Sequence, residues 1–274
     1  MLRSLYAAVS GLRNHQTRMD VIGNNIANVN TTGFKASRVI FSDIYSQTLQ
    51  PAAAGTATTG GSNPQQVGLG VTVASIDVLM TRAGSQYTGA TLDMAIEGDG
   101  FFIVNDGSQE FYTRAGNFTL DSGNRITLNG NLVQGYMMDN TTTPPTQAAA
   151  LSAIDTTGYT NVSIDKNGNV TGLDATNNSV VIAKVGLATF SNQNGLEKAG
   201  DSLYTESSNS GAAVYGTPGT GAAGTLNAGS LEMSNVDLSK EFTDMITTQR
   251  GFQANSRVIT TSDTLLEELV NLKR

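Results

Sequence analysis

The chain has 274 residues, of which 14% are charged, a formal net charge of -7 and no Cys. The missing Cys excludes disulfide frameworks, thiolate catalysis and Cys-based zinc sites, and the lack of any basic run leaves no groove for nucleic acid and no patch for an anionic membrane surface. Thirty glycines, no Trp and 6% aromatic residues suit many turns and a thin core rather than a deep ligand pocket.

Residues 2 to about 28 read as a helix. Alternating steps of three and four pick out Leu2, Leu5, Val9, Leu12, Met19 and Ile26, with Gln16 and Gly23 as interruptions, which is a heptad pattern. The opening residues lack an unbroken apolar run and no stretch of 18 apolar residues follows, so neither a cleaved signal nor a membrane span is expected. Asn28, Asn30 and Gly33 supply residues that tolerate left-handed backbone and stop the helix. The asparagines of NNIANVNTTGFK are explained by turn chemistry without a ligand.

Residues 35–50 hold a short apolar run, Val39, Ile40, Phe41, Ile44, Tyr45 and Leu49, open to strand or short helix. Residues 51–66 are Ala-, Gly-, Thr- and Ser-rich with two prolines, the composition of a connector. From Val67 the period changes to two, in VGLGVTVASIDVLM, LDMAIEGDGFFIVND and the runs after them. Asp106-Gly107, Asn129-Gly130, Asn167-Gly168 and Asn194-Gly195 stand at hairpin positions. The segment 139–148 is a polar, Pro-interrupted break, and residues 207–229 match the first connector in composition.

From Leu238 the heptad spacing returns as Leu238, Phe242, Met245, Phe252, Ile259, Leu266 and Val270, interrupted by Gln249, Ser256 and Asp263. Ser234, Asn235 and Asp237 can cap a helix that starts near 236–238 and runs to the end of the chain. The predicted fold is α+β: N- and C-terminal coiled-coil-type helices paired with each other around a mainly antiparallel all-β body. Residues 1–30 and 236–274 form the helical domain, 31–66 and 207–235 the connectors, and 67–206 the body. Gly11, Gly23, Gly251 and several threonines lower helix propensity, so both tails are expected to order only against neighbouring subunits.

No catalytic, cofactor or metal constellation emerges. His15 is the single histidine and lies one residue off the heptad positions. The run DKNGNV at 165–170 has its Gly in the wrong place for a calcium loop. An enzyme is therefore not expected. A secreted β-rich adhesin or binding module would explain the Gly- and Thr-rich strands but not two terminal heptad stretches.

Three segments, SLYAAVSGLRNHQTRMDVIGNNIANVNTTGFKASR, LDMAIEGDGFFIV with YTRAGNF, and LEMSNVDLSKEFTDMITTQRGFQANSRVITTSD, together resemble the bacterial flagellar rod and hook protein family. The resemblance covers nearly the whole chain and is nearer to the hook branch than to the rod branch, the latter being the alternative. It implies export in unfolded form through the flagellum's own apparatus and polymerisation into a helical tube outside the cell. Other axial proteins, such as rod, hook-cap and hook-filament junction proteins, are its implied neighbours, with no nucleic acid, cofactor or membrane insertion. It assigns the apolar heptad residues of both tails to the inner wall of the tube, and Asn24, Asn25, Ile26, Ala27, Asn28, Gly33 and Phe34 to the family signature. Larger hook proteins carry an outer domain near residues 140–146, which this chain lacks or keeps minimal.

Overall fold

The computed structural model describes residues 2–55, 60–139, 146–148 and 150–272; residues 140–145, most of the predicted break, lie outside it. The chain divides into two units, one made of residues 1–27, 37–79 and 236–274, the other of 28–36 and 80–235. The architecture is α+β, with a helix at each end and a mainly antiparallel β body.

In the first unit helix α1 spans Leu2–Ala27 and helix α2 spans Leu238–Asn271. At 1.5 Å per residue they are about 39 and 51 Å long. The start of α2 is set by Asp237, whose carboxylate accepts the Ser239 and Lys240 backbone N–H groups at 2.9 and 3.3 Å, and Glu241 in the first turn suits the positive end of the helix dipole. Asp237→Ala should cost about 1 kcal/mol of helix stability. The expected readout is loss of hydrogen-exchange protection in the first turn of α2 with the middle of the helix unchanged.

The region left open between strand and helix is strand. β1 (Ser37–Asp43) pairs antiparallel with β4 (Val71–Val78), Ser37 opposite Val78 and Asp43 opposite Val71, with a bulge between Ile40 and Phe41. Burial alternates along both strands, as expected of a ribbon with one covered face. That cover includes α1: Asn14 Nδ2 donates to the Val71 carbonyl at 2.6 Å, and Ser10 Oγ accepts the Val71 N–H at 3.3 Å. Between these strands, β2 (Ser46–Gln50) and β3 (Gln65–Gly68) form a hairpin that continues through the bridge Ala53–Ser62, so strand pairing reaches into the stretch whose composition reads as connector. Every residue of β2 and β3 is exposed, and residues 44–70 carry no charge.

The second unit is built on one large antiparallel sheet. Along its main path the strands run Thr160–Ile164, Asn169–Leu173, Ser179–Val185, Asn131–Asp139, Phe101–Asn105, Glu110–Thr113, Leu203–Thr205 and Glu197–Gly200. The strand Phe101–Asn105 explains why the core is split. With side chains alternating across it, Phe102 and Val104 join a cluster with Met94, Ile126, Leu128, Val133 and Ile154, while Phe101 and Ile103 join Tyr112, Phe190 and Tyr204. The second cluster is aromatic and packs edge to face, Tyr112 against Phe190 at 4.8 Å and Phe101 against Phe190 at 5.8 Å.

Asp106-Gly107, Asn129-Gly130 and Asn167-Gly168 sit in tight turns between paired strands, as their sequences predict. The fourth, Asn194-Gly195, does not. It lies in a 3-10 turn, Gln193–Gly195, that joins Leu187–Thr189 to Glu197–Gly200, two strands paired to other partners. The calcium-like run at 165–170 is a turn in which Gly168 N–H donates to the Asp165 carbonyl at 2.8 Å.

Candidate functional site: the helix faces and the signature loop

The two helices lie antiparallel against each other: Gly11 faces Asn255, His15 faces Gly251, and Arg18 bonds Asp244 at 2.9 Å. With both ends about one-third exposed, that ion pair is worth at most about 1 kcal/mol. The buried stripe of α1 is Ala8, Gly11, Ile22 and Asn25, and that of α2 centres on Thr248 and Ser262. Apart from Ile22 these residues are small or polar, and two glycines let the helices approach closely. A Cβ on Gly11 would stand 2.6 Å from Asn255 Nδ2, and one on Gly251 would stand 2.8 Å from the His15 ring.

The apolar heptad residues lie beside this stripe rather than on it. Leu5, Leu12, Met19, Ile26, Met245, Phe252, Ile259 and Leu266 are half-buried, while Val9, Leu238, Phe242 and Val270 are exposed; the Leu2 side chain is outside the described residues. On α2, Ile246, Val258, Leu265, Leu269 and Leu272 are exposed as well. The pair buries its small and polar residues within the chain and presents much of its apolar surface outward.

The signature residues do structural work at the end of α1. Asn25 is 1% exposed; its amide donates to the Ser37 carbonyl at 2.8 Å and its side-chain oxygen accepts the Ser37 N–H at 3.0 Å. This pair of bonds substitutes for a strand partner and fixes where β1 begins. Asn28 closes the next turn, its carbonyl accepting the Thr31 N–H at 3.2 Å and its side chain the Thr31 hydroxyl at 3.1 Å. Ala27 and Asn24 are exposed and Ile26 is half-buried. In the second unit Gly33 adopts φ +68° and donates its N–H to the Glu232 carbonyl at 2.8 Å. The Lys198 ammonium lies 4.9 Å above the Phe34 ring.

Sequence reasoning missed a buried charge cluster beside that loop. Lys35, Arg114 and Glu232 are 0, 1 and 3% exposed. Lys35 Nζ donates to Glu232 Oε1 at 2.7 Å and to the Thr81 carbonyl at 2.9 Å. Arg114 Nη1 donates to Glu232 Oε2 at 3.5 Å, and its guanidinium stacks 5.1 Å over the Phe101 ring. Burial holds both basic groups below their ordinary range while Glu232 pulls each back up. Two cations thus share one carboxylate in the dry interior. Composition carried a signal: Lys35 is the only charge in residues 21–37 and Glu232 the only charge in residues 207–236.

Among the described residues no three His, Asp or Glu side chains gather to hold a metal ion, and no helix is long and apolar enough to cross a membrane. Three family models match the chain: the flagellar basal-body rod FlgEFG C-terminal model over residues 227–272, the flagella basal-body rod model over 5–35, and the flagellar hook protein FlgE/F/G D1 domain model over 95–172. The flagellar basal-body rod protein FlgG of Bacillus subtilis is 50% identical over 276 residues, covering the whole of both chains. In Borreliella burgdorferi the hook protein FlgE is 32% identical over 441 residues and the rod protein FlgG 36% over 279, each again covering both chains in full. The chain therefore belongs to the flagellar rod and hook protein family. It is a structural protein of the bacterial flagellar axis and not an enzyme.

Proposed function

We propose that this chain is a hook subunit of short form, which polymerises outside the cell into a flexible tube that passes motor torque to the filament and encloses the export channel. The observation that carries the choice of hook comes from Borreliella burgdorferi, where both branches of the family can be compared in one organism. There 32% of 441 positions is about 141 identities with the hook protein, against about 100 with the rod protein from 36% of 279. The hook protein's 441 aligned positions exceed this chain's 274 residues by 167, which supports a body without the larger proteins' insertion. The distal rod is the second reading, favoured by the 50% identity and near-equal length of the Bacillus subtilis relative. Electron microscopy of the polymerised full-length protein tests the choice. Curved tubes whose supercoil changes with conditions support the hook, and straight stiff tubes support the rod.

On this reading α1 and α2 pair as a coiled coil in the inner wall, residues 1–30 and 236–274, and the body, 67–206, forms the outer layer with 31–66 and 207–235 between them. The apolar heptad residues Leu2, Leu5, Val9, Leu12, Met19, Ile26, Leu238, Phe242, Met245, Phe252, Ile259, Leu266 and Val270 are the assembly seam. Its neighbours are further copies, then rod, hook-cap and junction proteins, and the export apparatus threads the chain through. Because Phe242 and Val270 are exposed in the single chain, Phe242→Asp or Val270→Asp should change monomer stability by no more than about 0.5 kcal/mol. In the tube each would bury an unpaired charge, so polymer yield by sedimentation should fall sharply. Normal tubes from both variants would count against the seam.

A further inference from the structure

His15 is the only histidine in the chain, and the function proposed above leaves it unused. It stands where α1 meets both α2 and β1. On the α2 side Gly251 leaves the space its ring fills, since a Cβ there would lie 2.8 Å from Cε1 and Nε2. On the β1 side the ring meets Phe41 edge to face, with centroids 6.0 Å apart at 72°. Its Nδ1 is sealed from solvent and has no hydrogen-bond partner among the described residues. The charges around it are poorly placed for an imidazolium. Arg18, one turn further along α1, is the charge that acts on the ring, and it has the same sign. Asp244 on α2 is engaged by Arg18 at 2.9 Å, and on β1 Arg38 pairs with Asp77 at 3.5 Å while Asp43 lies exposed at the strand's end.

We infer that His15 is an acid-sensitive release point of the helix pair: protonating its ring loosens α1 from α2 and β1 and thereby dissolves the assembled tube. The inference rests on the polymer reading above and adds a regulation to it. Burial first, and Arg18 second, hold the imidazole below its ordinary range. The sign follows. Well above pH 6.5 the ring is neutral in folded and unfolded chains alike and contributes no pH dependence. As pH falls below 6.5 the unfolded chain takes the proton first, so stability is lost progressively until the packed ring also protonates. Glu241, on α2 near Arg18 and Asp244, acts in the opposite direction. Burial raises its carboxyl, so its protonation in the folded chain favours the folded state as pH falls.

The test uses full-length protein polymerised at pH 7.5 and followed by sedimentation down to pH 5.0, for the wild type, His15→Phe and His15→Gln. The critical concentration of the wild type should rise up to about tenfold per pH unit once below 6.5, and the variants should stay nearly flat over the same range. An unchanged wild type, or variants that respond as the wild type does, overturns the inference while leaving the polymer reading intact. If no tubes form at any pH, the polymer reading fails instead. Hydrogen exchange of α1 and α2 amides at pH 7.5 and 5.0 in the same three proteins then decides the role of His15, with acid loosening required in the wild type and absent from the variants. Two replacements are used so that a misfolded one does not end the test.

Discussion

Glu232→Gln should destabilise the second unit by about 3–5 kcal/mol, the range found when one partner of a buried ion pair is removed and the other is left uncompensated. The expectation rests on the unequal charge count of the cluster. Lys35 and Arg114, both fully buried, share the one carboxylate of Glu232. An amide at that position still fills the space but leaves two cations in the dry interior without their buried counter-charge, Arg114 keeping only the attraction of exposed Asp99. The companion variant makes the claim sharper. Lys35→Met removes a cation and leaves Arg114 paired with Glu232, a balanced arrangement, so it should cost clearly less than Glu232→Gln. Urea unfolding of the full chain, followed by circular dichroism and by the fluorescence of its eight tyrosines, gives both values. Equal costs for the two variants would mean that the groups act through packing and hydrogen bonds and that charge balance is not what matters. The cluster also ties distant parts of the unit together: Glu232 accepts the Ala83 N–H at 3.3 Å, and Lys35 reaches the Thr81 carbonyl. A single carboxylate therefore fixes the signature loop, the strand region after residue 80 and the segment that leads to α2.

Periodicity found both helices, and turn chemistry offered Ser234, Asn235 and Asp237 as caps, of which Asp237 is the one used, because these depend on spacing and on local hydrogen-bond acceptors. Periodicity did not find which side of each helix is buried within the chain. Apolar spacing points to Leu5, Leu12, Met19 and Ile26, whereas the close approaches between α1 and α2 are made at Gly11, against Asn255, and at His15, against Gly251, one residue before the heptad positions Leu12 and Gln16. A pattern that scores only hydrophobicity cannot see a face chosen for small size. Turn chemistry was legible where Asn or Asp precedes Gly between strands that pair with each other. It misled at Asn194-Gly195, where the same dipeptide serves a 3-10 turn. The hairpin of β2 and β3 was illegible for another reason, since all its residues are exposed and no one-sided burial stamps a period-two pattern on the sequence. The charge cluster was hidden by distance along the chain: Lys35 and Glu232 are 197 residues apart, and nothing local relates them.

Gly33→Val should cost about 3 kcal/mol or more and should lower the melting temperature of the second unit with little change in the first turns of α1. Two independent penalties meet at this residue. Its φ of +68° is left-handed backbone, which costs an ordinary residue about 1–2 kcal/mol and a β-branched one more. A Cβ at Gly33 would also stand 2.6 Å from the Ala115 backbone nitrogen and 2.9 Å from the Arg114 carbonyl carbon. These are main-chain atoms of a strand end and cannot swing away as a side chain would, so the loop must move, at a further cost of about 1–3 kcal/mol. Movement would strain the 2.8 Å bond from Gly33 N–H to the Glu232 carbonyl and, two residues on, the seat of Lys35 against the same Glu232. Gly33→Val and Glu232→Gln should therefore couple. The double variant is expected to lose less stability than the two single losses added together, by at least about 0.5 kcal/mol. Strict additivity in the same urea experiment would separate the glycine from the charge cluster and leave the signature loop's backbone conformation as an independent requirement of the fold.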